Sequence, residues 1–593
     1  MNKHTMRALA LVTALAVLAG CGTTGSATVS DQNALGAGVE DTTSEGDASS
    51  TEDNVEPHAG SDSYDYDESD VVDIALGSEI SASSDAVTID GTTATITSAG
   101  AYEITGTLTD GQILVDAGDG AVVEIILNGA DITNADGAAI AVMSAETAIV
   151  ILADGTSNTL TDGATYVLAE GEDEPNATLF SKTDLTLAGA GSLTVVGNYD
   201  DGVASKDGLV IISGDITVDA VDDGIRGRDY VVVEGGDIEV TAGGDGIKSD
   251  NDEDPERGYI AIADGVIDVT SADDGLQAAT DALVTGGTLE ISAGATGTSD
   301  DARGIQGDVM VAIGGGTITA DAVDDAVHSN STVTIDGGDL TLASGDDAIH
   351  GDSYVTINGG SILITESFEG IESEIITIND GFVDITSDDD GLNVASADAE
   401  TANTTTQPAP GGGRGGGAPV EAVGENYIYI NGGTTAITIT GALAEQGDGI
   451  DANGHVEMTG GVVAVSGPTD TRNSALDYSG GTFTMTGGLF VGTNIDGRNS
   501  EGVGAGSTQA SLYLTFGSVI DAGTLIHIRS TSGDSLVTFE PANRFDVVVF
   551  SSPDLVAGET YEIYLGGTVD GDSPTGLHDT YSPGEPAGTA TAA

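Results

Sequence analysis

An acidic residue, a glycine and an aliphatic residue recur together at nearly regular spacing through the middle of this chain. The nine copies begin at Asp201, Asp223, Asp245, Asp274, Arg303, Asp325, Asp347, Glu369 and Asp390, and a weaker copy follows at Asp448. Arginine replaces the acid in the fifth copy, and alanine replaces the glycine in the sixth and seventh. Successive copies of the nine lie 22, 22, 29, 29, 22, 22, 22 and 21 residues apart. A repeat of this length strongly limits the fold, because each copy must form one small unit that buries its apolar face against the next.

One period contains three short runs in which β-branched and polar residues alternate, as in residues 230–233 and 238–241. Such alternation predicts half-buried strands, and paired glycines such as Gly235 and Gly236 permit tight corners between them. A helical repeat would need a longer 3.6-residue pattern, and a propeller blade needs about 40 residues. The sequence therefore predicts an all-β fold, a right-handed parallel β-helix with about 22 residues per rung and a C-terminal β cap.

Stacked rungs would place equivalent residues in straight columns about 4.8 Å apart. The aliphatic residues should form a core column, which comprises Val203, Ile225, Ile247, Leu276, Ile305, Val327, Ile349, Ile371 and Leu392. The residues three positions after the start of each copy should form an outward strip, which comprises Ala204, Arg226, Lys248, Gln277, Gln306, His328, His350, Glu372 and Asn393. The histidines show no metal-ligand spacing, so we expect His328 and His350 to stack at the surface rather than to hold zinc.

The first residues of the chain predict export. Lys3 and Arg7 precede an apolar run at 8–19 that is too short to span a membrane permanently. The run ends in Leu-Ala-Gly-Cys, which is similar to the bacterial lipoprotein signal, in which the cysteine carries the lipid. We therefore expect lipidation of Cys21, the only cysteine of the chain, and anchoring at the extracellular face of the cell membrane.

The expected organisation has four parts. Residues 1–20 form the signal peptide, and residues 21–70 form an acidic tether without Lys or Arg that cannot bury a core. Residues 71–505 form the β-helix, with a Gly/Pro-rich loop at 401–424, and residues 506–593 close its open end as a cap. We expect a monomer.

The net charge excludes some partners and favours others. Acidic residues outnumber basic ones by 98 to 14, which gives a formal charge of −84. Such a surface repels nucleic acids, so a nucleic-acid-binding role is excluded, and it attracts cations. A hydrophobic fraction of 39% is too high for a wholly disordered acidic chain, so the charge belongs to a folded protein.

The stacked acids predict calcium sites. Carboxylates on neighbouring rungs repel by roughly 1 kcal/mol in water, and by more at a partly buried corner. Calcium binds six to eight oxygens at about 2.3–2.6 Å and fits between two such rungs. The candidate ligands are Asp201, Asp207, Asp222, Asp223, Asp229, Asp245, Asp250, Asp273 and Asp274. The alternative is that these aspartates only form turns, for which Asp-Gly is well suited.

Several stretches outside the repeat carry a family resemblance. Residues 111–115, 127–132, 155–163, 176–185, 411–417 and 551–555, together with the repeat itself, resemble the bacterial carbohydrate-binding domain-containing β-helix family. Members of that family are calcium-binding surface proteins related in shape to pectate lyases. The resemblance implies binding of cellulose-like or acidic plant polysaccharides.

Three basic residues among the acidic rungs are the candidate substrate-binding residues: Lys206, Arg226 and Lys248. A cation beside calcium suits a polyuronate, although the same cations could simply neutralise neighbouring acids. Two other functions stay open, a calcium-dependent polysaccharide lyase with a Lys or Arg base and a structural adhesin or spacer. No residue is singled out as catalytic, because double aspartates recur on almost every rung.

Overall fold

The computed structural model describes residues 69–168, 171–295, 297, 299–395, 426–441, 446–478, 480–496 and 501–593. The predicted signal peptide, Cys21, nearly all of the predicted tether and the loop predicted at 401–424 lie outside the described residues. Within the described residues the chain is all-β and contains no helix. The same residues accordingly include no helical segment that could cross a membrane.

The described residues form 49 strands. The strands before the regular repeat are β1 (Val72–Leu76), β2 (Ser81–Ala82), β3 (Val87–Asp90), β4 (Thr93–Ile96), β5 (Gly100–Leu108), β6 (Gln112–Asp116), β7 (Val122–Thr133), β8 (Ile140–Ser144), β9 (Thr147–Leu152), β10 (Ser157–Thr161), β11 (Ala177–Ser181), β12 (Asp184–Gly189) and β13 (Ser192–Gly197). The strands of the repeat are β14 (Asp201–Ser205), β15 (Gly208–Ile211), β16 (Asp215–Ala220), β17 (Ile225–Gly227), β18 (Tyr230–Val233), β19 (Asp237–Ala242), β20 (Ile247–Ser249), β21 (Tyr259–Ile262), β22 (Val266–Ser271), β23 (Leu276–Ala278), β24 (Asp281–Val284), β25 (Thr288–Ala293), β26 (Ile305–Gly307), β27 (Met310–Ile313), β28 (Thr317–Ala322), β29 (Val327–Ser329), β30 (Thr332–Ile335), β31 (Asp339–Ser344), β32 (Ile349–Ile357), β33 (Ser361–Glu366), β34 (Ile371–Ile378), β35 (Phe382–Ser387) and β36 (Leu392–Val394).

The remaining strands lie C-terminal to the undescribed stretch at 396–425. Those that continue the repeat are β37 (Tyr427–Ile430), β38 (Thr434–Ile439), β39 (Ile450–Ala452), β40 (His455–Met458), β41 (Val462–Ser466), β42 (Thr482–Met485) and β43 (Leu489–Asn494). The final six are β44 (Ser511–Ile520), β45 (Ile526–Ser530), β46 (Ser535–Phe539), β47 (Phe545–Ser551), β48 (Thr560–Thr568) and β49 (Ser582–Thr591).

Three ladders of parallel strands form the solenoid between β8 and β43. The first contains β8, β11, β14, β17, β20, β23, β26, β29, β32, β34, β36 and β39. The second contains β9, β12, β15, β18, β21, β24, β27, β30, β32, β34, β37, β40 and β42. The third contains β10, β13, β16, β19, β22, β25, β28, β31, β33, β35, β38, β41 and β43. The chain is a β-solenoid of about 14 turns, which confirms the predicted parallel β-helix.

The predicted core column is confirmed residue by residue. Val203 pairs in register with Ile225, Ile225 with Ile247, and the series continues through Leu392 to Ile450. Every member of the column is completely buried. The 29-residue steps leave this register intact, because their extra residues are accommodated between strands.

Glycine serves two purposes at the corners. A Cβ on Gly246 would lie 2.2 Å from Val269 Cγ1 and 2.6 Å from the Gly275 carbonyl oxygen, so this rung has no room for a side chain, although two other rungs hold Ala326 and Ala348 at the equivalent position. Gly236, in the opposite corner, has a φ of 114°, which only glycine adopts readily. The acid-glycine signal therefore reflects close approach between rungs.

The C-terminal strands close the solenoid, as predicted. Strand β47 pairs antiparallel with both β43 and β44, so it covers the last strand of the third ladder. Strands β46, β45, β48 and β49 form a separate antiparallel sheet. A second apolar core that includes Phe539, Phe545 and Phe550 packs between these strands and stabilises the cap.

Candidate functional site

The repeated acids form a hydrogen-bonded column at one corner, here called the corner column, which comprises Asp201, Asp223, Asp245, Asp274, Asp325, Asp347, Glu369, Asp390 and Asp448. In six of its members, Oδ1 accepts the backbone N–H of the residue one rung further on; these are Asp223, Asp245, Asp274, Asp325, Asp390 and Asp448. The distance is 3.0 Å from Asp223 to the Asp245 N–H and 3.0 Å from Asp245 to the Asp274 N–H. The column therefore satisfies corner backbone donors, a role that turn formation alone does not explain.

The second carboxylate oxygen of five column aspartates contacts a side chain of the strip predicted beside the column, namely in Asp201, Asp223, Asp245, Asp325 and Asp347. The strand register confirms that the strip is continuous from Ala204 through Arg226 and Lys248 to Asn393, and extends it to Asp451. The strip is less exposed than expected from the sequence. His328 is only 6% exposed, and Ala204, Gln306, Glu372 and Asn393 are also buried.

Two rungs of the column share one lysine. Lys248 Nζ lies 2.5 Å from Asp245 Oδ2 and 3.4 Å from Asp223 Oδ2. Burial lowers the pKa of Lys248, but the charges of Asp223 and Asp245 outweigh it and hold the pKa above its usual value. These two aspartates, both predicted calcium ligands, therefore already have a cation.

Asp201 and Asp222, also predicted ligands, form a separate group with Asp200, whose ligand atoms all lie within 4.8 Å of one another. Asp201 is completely buried, and its Oδ1 has no hydrogen-bond partner among the described residues. Its Oδ2 accepts from Asn176 Nδ2 at 3.1 Å and contacts Arg226 at 3.4 Å. Burial, reinforced by the charge of Asp223, raises the pKa of Asp201 to about 8. An unsatisfied carboxylate oxygen in an acidic group is a suitable cation ligand.

The other predicted ligands divide into two further sets. Asp245, Asp273 and Asp274 form a group of the same dimensions, and burial raises the pKa of Asp274 to about 8. Asp207 and Asp229 instead lie around Arg257, and Asp250 forms an ion pair with Arg226. The nine predicted ligands thus do not form one site.

The three predicted substrate-binding cations are all engaged in ion pairs. Lys206 lies 3.2 Å from Glu174, while Arg226 and Lys248 contact corner aspartates. A lysine whose pKa is held high by two carboxylates is a weak proton acceptor near neutral pH. The lyase alternative that relies on Lys248 as the base is therefore poorly supported by this geometry.

The last rungs of the column have no such cation. Asp390 and Asp448 are buried, and no ion pair to Lys, Arg or His reaches either residue in the described part of the chain. Burial and the charges of Asp451 and Asp448 hold the pKa of Asp390 well above its usual range, and burial raises that of Asp448 to about 8. Asn393 donates to Glu369 Oε2 at 2.8 Å, whereas its own buried Oδ1 has no hydrogen-bond partner among the described residues.

Two histidines occupy the strip between these regions, and the expectation that both lie at the surface is wrong for His328. Their rings do stack, with centroids 5.0 Å apart, but His328 is buried because its ring turns against the column. Nδ1 of His328 lies 2.7 Å from Asp325 Oδ2, and Nδ1 of His350 lies 2.7 Å from Asp347 Oδ2. Burial lowers the pKa of His350, but its hydrogen bond to Asp347 outweighs this and raises the pKa to about 10.

An aromatic row on the second ladder was missed by the sequence reasoning. Tyr354, Ile375, Tyr427 and His455 are register partners on successive strands, and none is buried. The rings of Tyr427 and Tyr429 are parallel within 1° with centroids 5.2 Å apart, and His455 lies 4.9 Å from Tyr427. The only sequence signal was the Tyr-Ile-Tyr alternation of β37.

Comparison with known proteins finds a family that is similar to part of this chain. Residues 90–348 match the family described as carbohydrate-binding domain-containing protein. A protein of that description from Acetivibrio thermocellus is 43% identical over 126 residues, which cover 21% of this chain and 44% of the relative. The chain thus spans less than half of the length of that relative.

A solved structure is also similar. The polysaccharide lyase-like protein from C. thermocellum, solved as a gadolinium derivative, is 30% identical, with a TM-score of 0.34. The match covers 51% of this chain and 96% of that chain. The chain is thus a β-solenoid that is similar, over residues 90–348, to the carbohydrate-binding domain-containing family.

Proposed function

We propose that this protein binds polysaccharide on the outer face of its β-helix. The observation that carries the proposal is the aromatic row of Tyr354, Ile375, Tyr427 and His455. Rungs about 4.8 Å apart make the row straight and flat, and sugar rings present apolar C–H faces that stack on aromatic rings. The family description and the relative of the same description support carbohydrate as the ligand class.

Of the two glycan classes expected from the sequence, a neutral cellulose-like chain fits better than an acidic one. Lys206, Arg226 and Lys248 are already paired with carboxylates, so binding a polyuronate there would require breaking ion pairs. The formal charge of −84 also repels a polyanion over the whole surface. An acidic glycan would therefore need bridging calcium.

Binding to insoluble cellulose and to immobilised polygalacturonate tests this proposal. Tyr427→Ala should weaken cellulose binding by about 1–2 kcal/mol, or about five- to thirtyfold, because one stacking ring is lost. Tyr513→Ala, which removes a tyrosine that is 44% exposed on the cap strand β44, is the matched control and should bind normally. Equal binding by wild type and Tyr427→Ala would refute the aromatic row as the site. Release of unsaturated uronate from polygalacturonate would assign lyase activity instead.

We also propose that calcium binds where the acids at the corner outnumber the protein cations that contact them. The group of Asp200, Asp201 and Asp222, with the unsatisfied Oδ1 of Asp201, has the all-oxygen ligands that calcium prefers. The rungs of Asp390 and Asp448 are the second region of unbalanced charge. Asp223 and Asp245 need calcium less, because they share Lys248. Calorimetric titration of calcium into EDTA-treated protein should give saturable binding that Asp201→Asn weakens, and absence of binding would refute the proposal.

The proposed location is the extracellular face of the cell membrane, through a lipid on Cys21. The lipoprotein-like sequence before Cys21 supports this proposal. Cys21→Ser should move the protein from the membrane fraction to the soluble fraction without changing its circular dichroism. A variant that stays in the membrane fraction would exclude this anchor.

A further inference from the structure

The two histidine rungs bring nitrogen and oxygen ligands together at the middle of the corner column. One ligand atom each from Asp325, His328 and His350 lie within 4.8 Å of one another, and so do those from Asp347, His350 and Glu372. His350 belongs to both groups and therefore lies at their centre. Apart from His350, which is half-buried, all of these side chains are less than 9% exposed.

The outer nitrogens of both rings face side-chain oxygen atoms, through a hydrogen bond in His328 and an ion-pair contact in His350. His328 Nε2 lies 2.9 Å from Asn330 Oδ1, and His350 Nε2 lies 3.3 Å from Asp352 Oδ1. The orientation of the Asn330 amide follows from its Nδ2, which donates to Asp308 Oδ1 at 3.2 Å. The hydrogen bond to Asn330 places a hydrogen on Nε2 of His328, and the carboxylate of Asp352 favours the same tautomer of His350. A histidine whose outer N–H is held by a carboxylate or amide oxygen is the usual arrangement of a metal ligand.

The inner nitrogens then face carboxylate oxygens. In a neutral imidazole with hydrogen on Nε2, the Nδ1 lone pair would point directly at Asp325 or Asp347, which is repulsive. A positive species must lie between the nitrogen and the oxygen. That species is either a proton, held between the imidazole and the carboxyl group, or a metal ion.

We propose that a divalent transition metal of the zinc or cobalt type binds between His350, Asp347, Asp325 and Glu372, with His328 as a further ligand. Tetrahedral bonds of about 2.0–2.1 Å to nitrogen and oxygen separate the two ligand atoms by roughly 3.3 Å. His350 Nδ1 lies 2.7 Å from Asp347 Oδ2 and 3.9 Å from Asp325 Oδ2. Small side-chain rotations bring both distances to the required value.

Imidazole nitrogen selects this metal class over calcium, which takes oxygen ligands. The site opens into a cavity of about 340 Å³ that is lined in part by Arg303, Asp352 and Phe368. An ion could reach the ligands through this cavity, and the space leaves room for water as an additional ligand. The proposal is independent of polysaccharide binding, because none of these residues belongs to the aromatic row.

Cobalt(II) titration followed by visible absorption tests this site. The full chain is used without a polyhistidine tag, after removal of metals with EDTA and dialysis. We expect one saturable cobalt ion per chain with a visible absorption band that differs from that of hydrated cobalt, resistant to excess calcium and displaced by zinc. His350→Gln should abolish the band, and Asp352→Ala should weaken cobalt binding about 10- to 100-fold, because it removes the carboxylate that faces the outer nitrogen of His350.

His455→Gln is the matched control, because this half-buried histidine on β40 contacts Thr482 and Tyr427 instead of the column. It should leave the cobalt spectrum unchanged. His328→Gln provides a second test if His350→Gln fails to fold, as judged by circular dichroism. A spectrum equal to that of hydrated cobalt in the wild type would overturn the proposal. A cobalt band that persists in folded His350→Gln would also overturn the proposal. If that variant does not fold, a band that persists in His328→Gln would do so. The histidine rings would then serve only as counter-ions of the aspartates.

Discussion

The rungs of Asp223 and Asp245 and the rungs of Asp390 and Asp448 share one backbone design but differ in charge balance. In both regions an aspartate accepts the backbone N–H of the next rung, and the core column behind it is fully buried. The difference lies in the strip. Lys248 neutralises the first pair, here called the matched rungs, whereas Asn393 and Asp451 stand beside the second pair, the unmatched rungs.

The column supports the corner backbone in the same way in both regions, whereas the residues of the strip determine whether the negative charge of the column is balanced. Two carboxylates about 5 Å apart repel by roughly 1 kcal/mol in water and several-fold more in a partly buried corner. The hydrogen-bonded ladder needs the carboxylates regardless of this repulsion. A cation must therefore come from the strip, from a proton or from bound metal.

The largest expected effect comes from removing the cation of the matched rungs. Lys248→Met should lower the free energy of unfolding by about 2–4 kcal/mol, because Asp223 and Asp245 stay buried without their partner. Urea denaturation measures the change. Lys182→Ala removes a more exposed ion pair with Glu174 and should cost less than about 1 kcal/mol. Similar losses in the two variants would mean that Lys248 does not balance the column.

The next effect concerns calcium. At about 100 times its dissociation constant, calcium should stabilise the protein by about 2.7 kcal/mol, because only the folded state binds it. Asp390→Asn should remove much of this gain in thermal melting, whereas Asp245→Asn, the equivalent change in the matched rungs, should leave most of it. A melting temperature that changes with neither calcium nor EDTA would contradict this prediction.

The difference between the regions could not have been read from the sequence. The core column was predictable because a buried aliphatic residue such as Ile225 or Ile247 recurs at a fixed interval, and burial depends on that interval alone. Lys248 was recognised as a cation within the acidic rungs, but which two carboxylates it contacts depends on side-chain conformations across neighbouring turns. A histidine is common both at surfaces and in interiors, so the burial of His328 had no sequence signal.

The alignment of the aromatic row could not be predicted from the sequence, for a different reason. Tyr354, Ile375 and Tyr427 are register partners, yet the steps between them are 21 and 52 residues. An insertion interrupts the period between the last two, so the alignment of their strands becomes visible only when the rungs are stacked. The Asp-Gly repeat, in contrast, was recognised because most of its steps are regular.

A smaller effect is expected from pH. Asp448 has a pKa of about 8 when folded and about 3.9 when unfolded, so between these values the folded state holds the proton more tightly. Stability of the metal-free protein should therefore fall as pH rises from about 4 to about 8, by about 1–2 kcal/mol for this group. Urea midpoints at pH 5 and pH 8 measure the difference. Asp448→Asn should make the slope shallower, and an unchanged slope would show that Asp448 does not contribute.

The smallest effect is also the most specific. Asn393→Lys places a cation in the strip beside the unmatched rungs, at the position that Lys248 occupies beside the matched ones. It should stabilise the metal-free protein by about 1 kcal/mol and reduce the calcium-induced rise in melting temperature. Asn393→Met has similar size without charge and is the control. If both variants behave alike, charge at this position is not the cause.

Hydrogen exchange with and without calcium compares the two regions most directly. Backbone amides of β36 and β39, beside Asp390 and Asp448, should gain protection on adding calcium, while those of β20, beside Asp245 and Lys248, should change little. Mass spectrometry of peptides that cover these strands measures both regions in the same sample. Protection that rises equally in both regions, or more in β20, would contradict the claim that the strip residue decides where the column needs an added cation.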